Sequence, residues 1–324
     1  MSFRSFIGRR LVSTFVTFLV VATIIFFLFR QVGSPQALFM SPSMNAEQMA
    51  RIEAQFGLDE PLYVQYYKYL ISIFTGEFGM SFYYRTDAAP LLFTRLKNSL
   101  LLTVPAIVLS YVVGTLGGVV LAWKRGEPVE RAGLVAAIVF RSSPRFYVGL
   151  LLLFFLSGTF AFFPYGGILP AGETFDSHLE LLTRPTFYRH AVLPIISMSL
   201  YLTGLPLMLM RTSMLEVIGE DFVDICRAKG MSESDVMYKH VARNAILPVM
   251  TAFAVAIAFS FGGNVLVETV FSYPGVGRLM VNSVFRGDYP VAQFAFLLMA
   301  GMVLIMNMIA DVMYGYLDPR VSYE

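Results

Sequence analysis

The sequence reads as an all-α membrane protein with six transmembrane helices, a single membrane domain over residues 1–324. Composition is the first reason: 56% of residues are hydrophobic and only 14% are charged, where soluble domains carry about 25%. A mean hydropathy of +0.66 agrees. The second reason is that six stretches of about 20 residues, the length that crosses a ~30 Å hydrocarbon core, contain no Asp, Glu, Lys or Arg. A net charge of +2 gives no excess basicity with which to hold nucleic acid, and the single cysteine, Cys226, excludes an intrachain disulfide framework or a multi-cysteine metal cluster.

The first span, Leu11 to Phe29, follows Arg4, Arg9 and Arg10. It is too long for a secretory signal and no small-residue cleavage site follows it, so it is read as retained. Residues 31–98 form an external segment that is folded rather than a linker. Asn45 caps a helix through Gln55 that stops at Gly57, and Asp59 with Pro61 opens another through Thr75, ended by Gly76. Tyr63, Tyr66, Tyr67 and Tyr69 suit a membrane-water interface. The segment reads as a cap on the outer ends of the spans, with direct contact to a partner or substrate as the alternative.

Span two, Ser99 to Trp123, carries Gly114-x-x-x-Gly118, which lets another helix approach closely. Span three, Phe146 to Tyr165, stands behind a shorter apolar run, Ala132 to Phe140. Between them lie Arg141 and Arg145, around Ser142-Ser143-Pro144. Central arginines cost roughly 2.5 to 3.5 kcal/mol each on insertion scales, so they cannot both face lipid. Either they snorkel at the cytoplasmic interface, the preferred alternative, or they line an aqueous cavity as part of a substrate pathway and meet an anionic group there. Spans four, five and six are Ala191 to Met210, Val249 to Val267 and Val291 to Ala310. Pro105, Pro194 and Pro206 allow bends within or near spans. With both termini inside, the inner segments hold 14 of the Lys and Arg residues and the outer ones 10. Six of those ten lie in the long segment after span one, where the charge rule weakens, so the short loops favour a cytoplasmic N- and C-terminus.

Residues 211–247 form the most informative loop. Asp221 through Lys229 places acids in the first turn and bases in the last, complementing a helix dipole, and Gly230 ends it. Ser232 with Asp235 has the form of a capping box and opens a second helix through Tyr238, His240 and Asn244 toward Pro248. Phe222, Ile225, Cys226 and Lys229 fall at i, i+3, i+4 and i+7, so a partly apolar stripe is presented to something in the cytoplasm.

Asp221-Phe222-Val223-Asp224-Ile225-Cys226-Arg227-Ala228-Lys229-Gly230, with Arg243-Asn244-Ala245-Ile246-Leu247-Pro248 after it, resembles the EAA loop of ABC importer permeases, in the branch serving peptides. Asp224, Ile225 and Cys226 stand near where Glu-Ala-Ala would, and the interval from Gly230 to Pro248 exceeds the general motif. Both departures are what the peptide branch shows. The segments from Gly57 to Tyr66, from Gly76 to Ser81, from Glu268 to Leu279 and from Leu317 to Arg320 are similar to successive parts of the dipeptide/oligopeptide B-type permeases. The resemblance implies a type I importer permease in a prokaryotic inner membrane, without catalysis of its own. Its implied partners are a second related permease, two ATPase domains that bind ATP and Mg, an external solute-binding protein, and membrane lipid. It also implies that Asp221, Phe222, Asp224, Ile225, Arg227, Ala228, Lys229 and Gly230 form a coupling helix against an ATPase groove.

Competing readings are weaker on the residues. Gly275-Val276-Gly277 lacks the strand and third glycine of a dinucleotide loop, and the chain contains no Gly-Lys-Ser/Thr end of a P-loop. His178, His190 and His240 are scattered and form no zinc motif. An ion-coupled carrier needs buried charge, which the spans lack apart from Arg141 and Arg145, with Glu268 and Asp311 at span edges. Oligosaccharide transport stays open, and nickel ranks low because no ligand cluster is visible in the spans.

Overall fold

The computed structural model describes residues 3–31, 60–258, 260 and 264–317. The expected helix from Asn45 to Gln55, its stop at Gly57, the opening Asp59 and the C-terminal Asp318-Pro319-Arg320 lie outside the described residues. Among those described the regular structure is helical, and the only pairing of extended backbone is an isolated bridge between Met80 and Asp87. The chain divides into two compact units, Met1–Asn98 with Gly275–Glu324 and Ser99–Pro274.

The first unit is discontinuous because its first and last long helices pair. In α1 (Phe3–Gln31), Phe18 lies over Gly301 of the last helix, where an added Cβ would meet the ring at 3.2 Å, and Arg10 pairs with Asp311 at 2.9 Å. The second helix, α2 (Leu62–Thr75), ends as expected at Gly76, whose φ of +76° suits glycine. It packs on α1 through Tyr66 and Tyr69 against Phe26, and the Tyr66 hydroxyl lies 2.7 Å from that of Thr23. After α2 the chain is tied to Asp288, whose buried carboxylate accepts hydrogen bonds from the Ser81 hydroxyl and the backbone N–H groups of Phe82 (3.0 Å) and Tyr83 (3.4 Å).

The boundary between units falls inside α3 (Ala88–Trp123), between Asn98 and Ser99. In the second unit α3 crosses a long helix, α7 (Pro185–Ile218), at Gly114 and Gly118. A Cβ at Gly114 would stand 2.6 Å from the Pro206 ring, and one at Gly118 2.6 Å from the Leu207 carbonyl oxygen. The small-residue spacing therefore does what it implies: the two helices approach closely, against the Pro206 ring and Thr203 carbonyl at Gly114 and against the Leu207 carbonyl at Gly118.

The two apolar runs around span three form two helices, α4 (Pro128–Ser142) over the shorter run and α5 (Arg145–Thr159) over the span, bent by 104° at the intervening Ser143-Pro144. Pro144 supplies no N–H and its ring drives Ser143 into extended backbone, observed at φ −72° and ψ 140°. The last seven residues of α5, Leu153–Thr159, widen into π-helical turns, and the helix stops short of Tyr165. A short helix, α6 (His178–Thr183), precedes α7. It is capped by the Ser177 hydroxyl, which accepts the Glu180 N–H, while the Glu180 carboxylate accepts the Asp176 N–H at 2.8 Å and binds Arg184.

After α8 (Asp221–Ala228), the helix expected to run toward Pro248 is α9 (Glu233–Ala245), and it meets α10 (Leu247–Ala258), the first part of span five, at a bend of 56° just before Pro248. Residues as far as Val267 were expected in one helix, but Val265–Val270 form a separate α11, capped by the Asn264 side chain. Residues 259 and 261–263 lie outside the described residues, and the start of α11 follows from Asn264, whose side chain accepts the Val267 N–H as a helix cap. In the first unit α12 (Val276–Phe285) leads to α13 (Tyr289–Leu317), which covers span six.

Candidate functional site

The loop from Arg211 to Pro248 places α8 as a short helix held on the second unit by one face. Val223 is fully buried among Met210, Met214, Val236 and Val241, with Phe222 and Cys226 half-buried beside it. The outward residues are Asp221, Asp224, Ile225, Ala228 and Lys229, all exposed, with Ile225 54% accessible. The predicted stripe is thus split: burial centres on Val223 at its edge, so Phe222 and Cys226 turn toward the chain's own core while Ile225 and Lys229 face outward.

The end of α8 is defined by Gly230 at φ +77°. The Met231 N–H donates to the Cys226 carbonyl at 3.3 Å and the Gly230 N–H to that of Arg227 at 2.9 Å, the paired bonds of a Schellman cap. Ser232 caps α9, accepting the Asp235 N–H at 3.2 Å, but its hydroxyl also donates to the Asp235 carboxylate at 2.8 Å. The expected box is therefore closed through the side chain of Ser232 rather than its backbone. Arg227 ties the loop together, reaching Asp224 at 3.3 Å, Glu233 at 3.2 Å and the face of Trp123 at 5.8 Å. Trp123 and Glu233 were not singled out from sequence, because nothing local links them to Arg227. The same holds for Glu130, which is buried and binds Arg211 at the other end of the loop while accepting the Gly126 N–H.

Arg141 and Arg145 flank the bend between α4 and α5, and both side chains are exposed. They lie against one helix, α7. The Arg145 guanidinium stacks 4.1 Å from the centre of the Tyr201 ring, and the Arg141 stem passes over Gly204, where a Cβ would come within 3.3 Å of it. Of the histidines, His190 is buried with Nδ1 2.8 Å from the Gly166 carbonyl oxygen, a structural role.

Residues 3–102 match the N-terminal family of membrane components of binding-protein-dependent transport systems, and residues 114–323 match the inner membrane component of the same systems. The chain is 33% identical over 319 residues to a probable peptide ABC transporter permease, y4tP, of Sinorhizobium fredii, covering 98% of this chain and 99% of that one. It is 34% identical over 293 residues to the oligopeptide transport system permease AppB of Bacillus subtilis, covering 90% of each. The glutathione transport system permease GsiC of Salmonella typhimurium is 32% identical over 321 residues, 99% of each chain. A solved structure of the MetNI methionine ABC transporter in inward-facing conformations shares the fold, with a TM-score of 0.53 at 17% identity over 70% of this chain and 96% of that one. With both family matches together spanning nearly its whole length, the chain belongs to the inner membrane permease components of binding-protein-dependent ABC transport systems.

Proposed function

We propose that the chain is one of two permease subunits of an ATP-driven peptide importer, forming half of the translocation pathway. The second subunit is a related permease, ATP and Mg are bound by two ATPase domains on the inner side, and a solute-binding protein delivers substrate outside. The observation that carries this reading is α8, a helix anchored by one buried residue, Val223, with an exposed face of mixed charge around Ile225. A helix held in this way transmits a push or pull without unfolding. The naming of full-length relatives for peptide, oligopeptide and glutathione transport supports peptides as the cargo class.

The test uses the assembled complex. Ile225→Asp places a charge in the outward face without touching the buried Val223 contact. Gly230→Val strains the left-handed cap, at a local cost on the order of 1–3 kcal/mol, and re-aims the helix. Both variants should insert and pair with the second permease, yet lose their ATPase subunits on purification or hydrolyse ATP with uptake reduced tenfold or more. Normal uptake by both variants rejects α8 as the coupling element.

A further inference from the structure

Arg145 stacks on the middle of a spanning helix. Tyr201 is near the centre of the apolar stretch from Ala191 to Met210, about 15 Å from one end and about 13 Å from the other at 1.5 Å per residue. Arg141 lies one turn along the same helix, on Gly204. The Arg145 guanidinium is therefore placed beside the middle of the apolar stretch, and the Arg141 stem on Gly204, about 9 Å from the nearer end at Met210. Both are exposed in this chain, and among the described residues no carboxylate pairs with either. The bend adds to the positive field: α5 opens at Arg145 behind Pro144, with no acid in its first turn and no side-chain cap.

A charged pair within a span faces a bundle interior or a water-filled cavity rather than lipid, and marks substrate or ion pathways. Guanidinium groups bind carboxylate through paired N–H donors in a plane. We infer that Arg141, Arg145 and Tyr201 form a transit site for a carboxylate of the transported solute, which in a peptide is the C-terminal group. This rests on the importer reading and adds a substrate contact to it. The stack on Tyr201 gives Arg145 a neutral resting partner, so the anion displaces no buried acid on arrival. A site that need only pass its ligand onward has use for such weak competition.

Two measurements on the full complex, with Cys226→Ser as background, test the site. Arg141→Cys and Arg145→Cys should react with a membrane-impermeant methanethiosulfonate reagent within tenfold of the rate at the exposed Ser232→Cys, in open membrane fragments. No reaction at either position overturns the aqueous site. In reconstituted vesicles, Arg141→Gln with Arg145→Gln should reduce uptake of alanine peptides of two to five residues at least tenfold while keeping ATPase subunits bound. Arg141→Lys with Arg145→Lys keeps the charge but loses the planar paired donors and the stack, so it should recover uptake only in part, to between the Gln variant and wild type, whereas uptake as low as that of the Gln variant assigns the arginines a structural role and overturns the site. An active wild type with an equally active Gln variant rejects the site alone, whereas a wild type inert toward all the peptides rejects the importer reading beneath it. A Gln defect seen in vesicles containing phosphatidylglycerol but absent in pure phosphatidylcholine assigns the arginines to anionic lipid headgroups, and also overturns the inference.

Discussion

Glu180 shows how much a single side chain organises. Its carboxylate is held below the usual range first by the Asp176 N–H, then by Arg184, with a smaller contribution from Ser177. A carboxyl whose folded pKa is depressed stabilises fully above its ordinary value of about 4.3 and loses that contribution as pH falls through the lower folded value. The melting temperature of wild type should therefore exceed that of Glu180→Ala above about pH 5, and the gap should close on acidification toward pH 3. A gap independent of pH would show that Glu180 acts only through packing. Residues of this kind were partly legible: Gly230 was readable because a base-rich turn followed by glycine has one usual meaning. Val223 was not, since its burial depends on Met210, Met214, Val236 and Val241 arriving from other segments.

Among elements, the crossing of α3 and α7 is the most sensitive to a single methyl group. A Cβ at Gly118 would lie 2.6 Å from the Leu207 carbonyl oxygen and 2.7 Å from Met210 Cβ, so Gly118→Ala must push two helices apart. Overpacking of this kind costs about 1–3 kcal/mol and should lower the melting temperature of the purified subunit. Gly8→Ala in α1, where an added Cβ meets nothing within 4 Å, is the matched control and should be neutral or slightly stabilising. Equal melting temperatures for the two variants would contradict the close crossing. Helix positions were legible from runs of apolar residues, because membrane spans need length and apolarity above all. The bends of 104° and 56° were not, since a proline permits a bend without fixing its angle. The π-helical turns in Leu153–Thr159 leave no sequence mark that a hydrophobic run would reveal.

For the whole molecule the open quantity is orientation, which the charge count assigns with both termini and the α8 loop inside. In sealed cells, with Cys226→Ser as background, an impermeant thiol reagent should label Asp176→Cys and spare Ser232→Cys. Both positions are exposed, so a missing label reports membrane side and not burial. Labelling of Ser232→Cys alone inverts the arrangement. The division into two units was not legible, because it depends on α1 meeting α13 across almost the entire sequence.

That discontinuity sets a clock on biogenesis. Ser81 and its acceptor Asp288 are separated by 207 positions, and α1 finds Gly301 still later. At 5–20 residues per second a ribosome needs roughly 10–40 s to make the intervening chain. Throughout that interval the donors at Ser81, Phe82 and Tyr83 await their carboxylate and the first helix awaits its neighbour, while the second unit is made and completed at Pro274. The nascent protein is thus exposed to membrane proteases at its beginning until its end has been made. A chain terminated after Pro274 should leave residues Ser99–Pro274 protected and be trimmed from the N-terminal side.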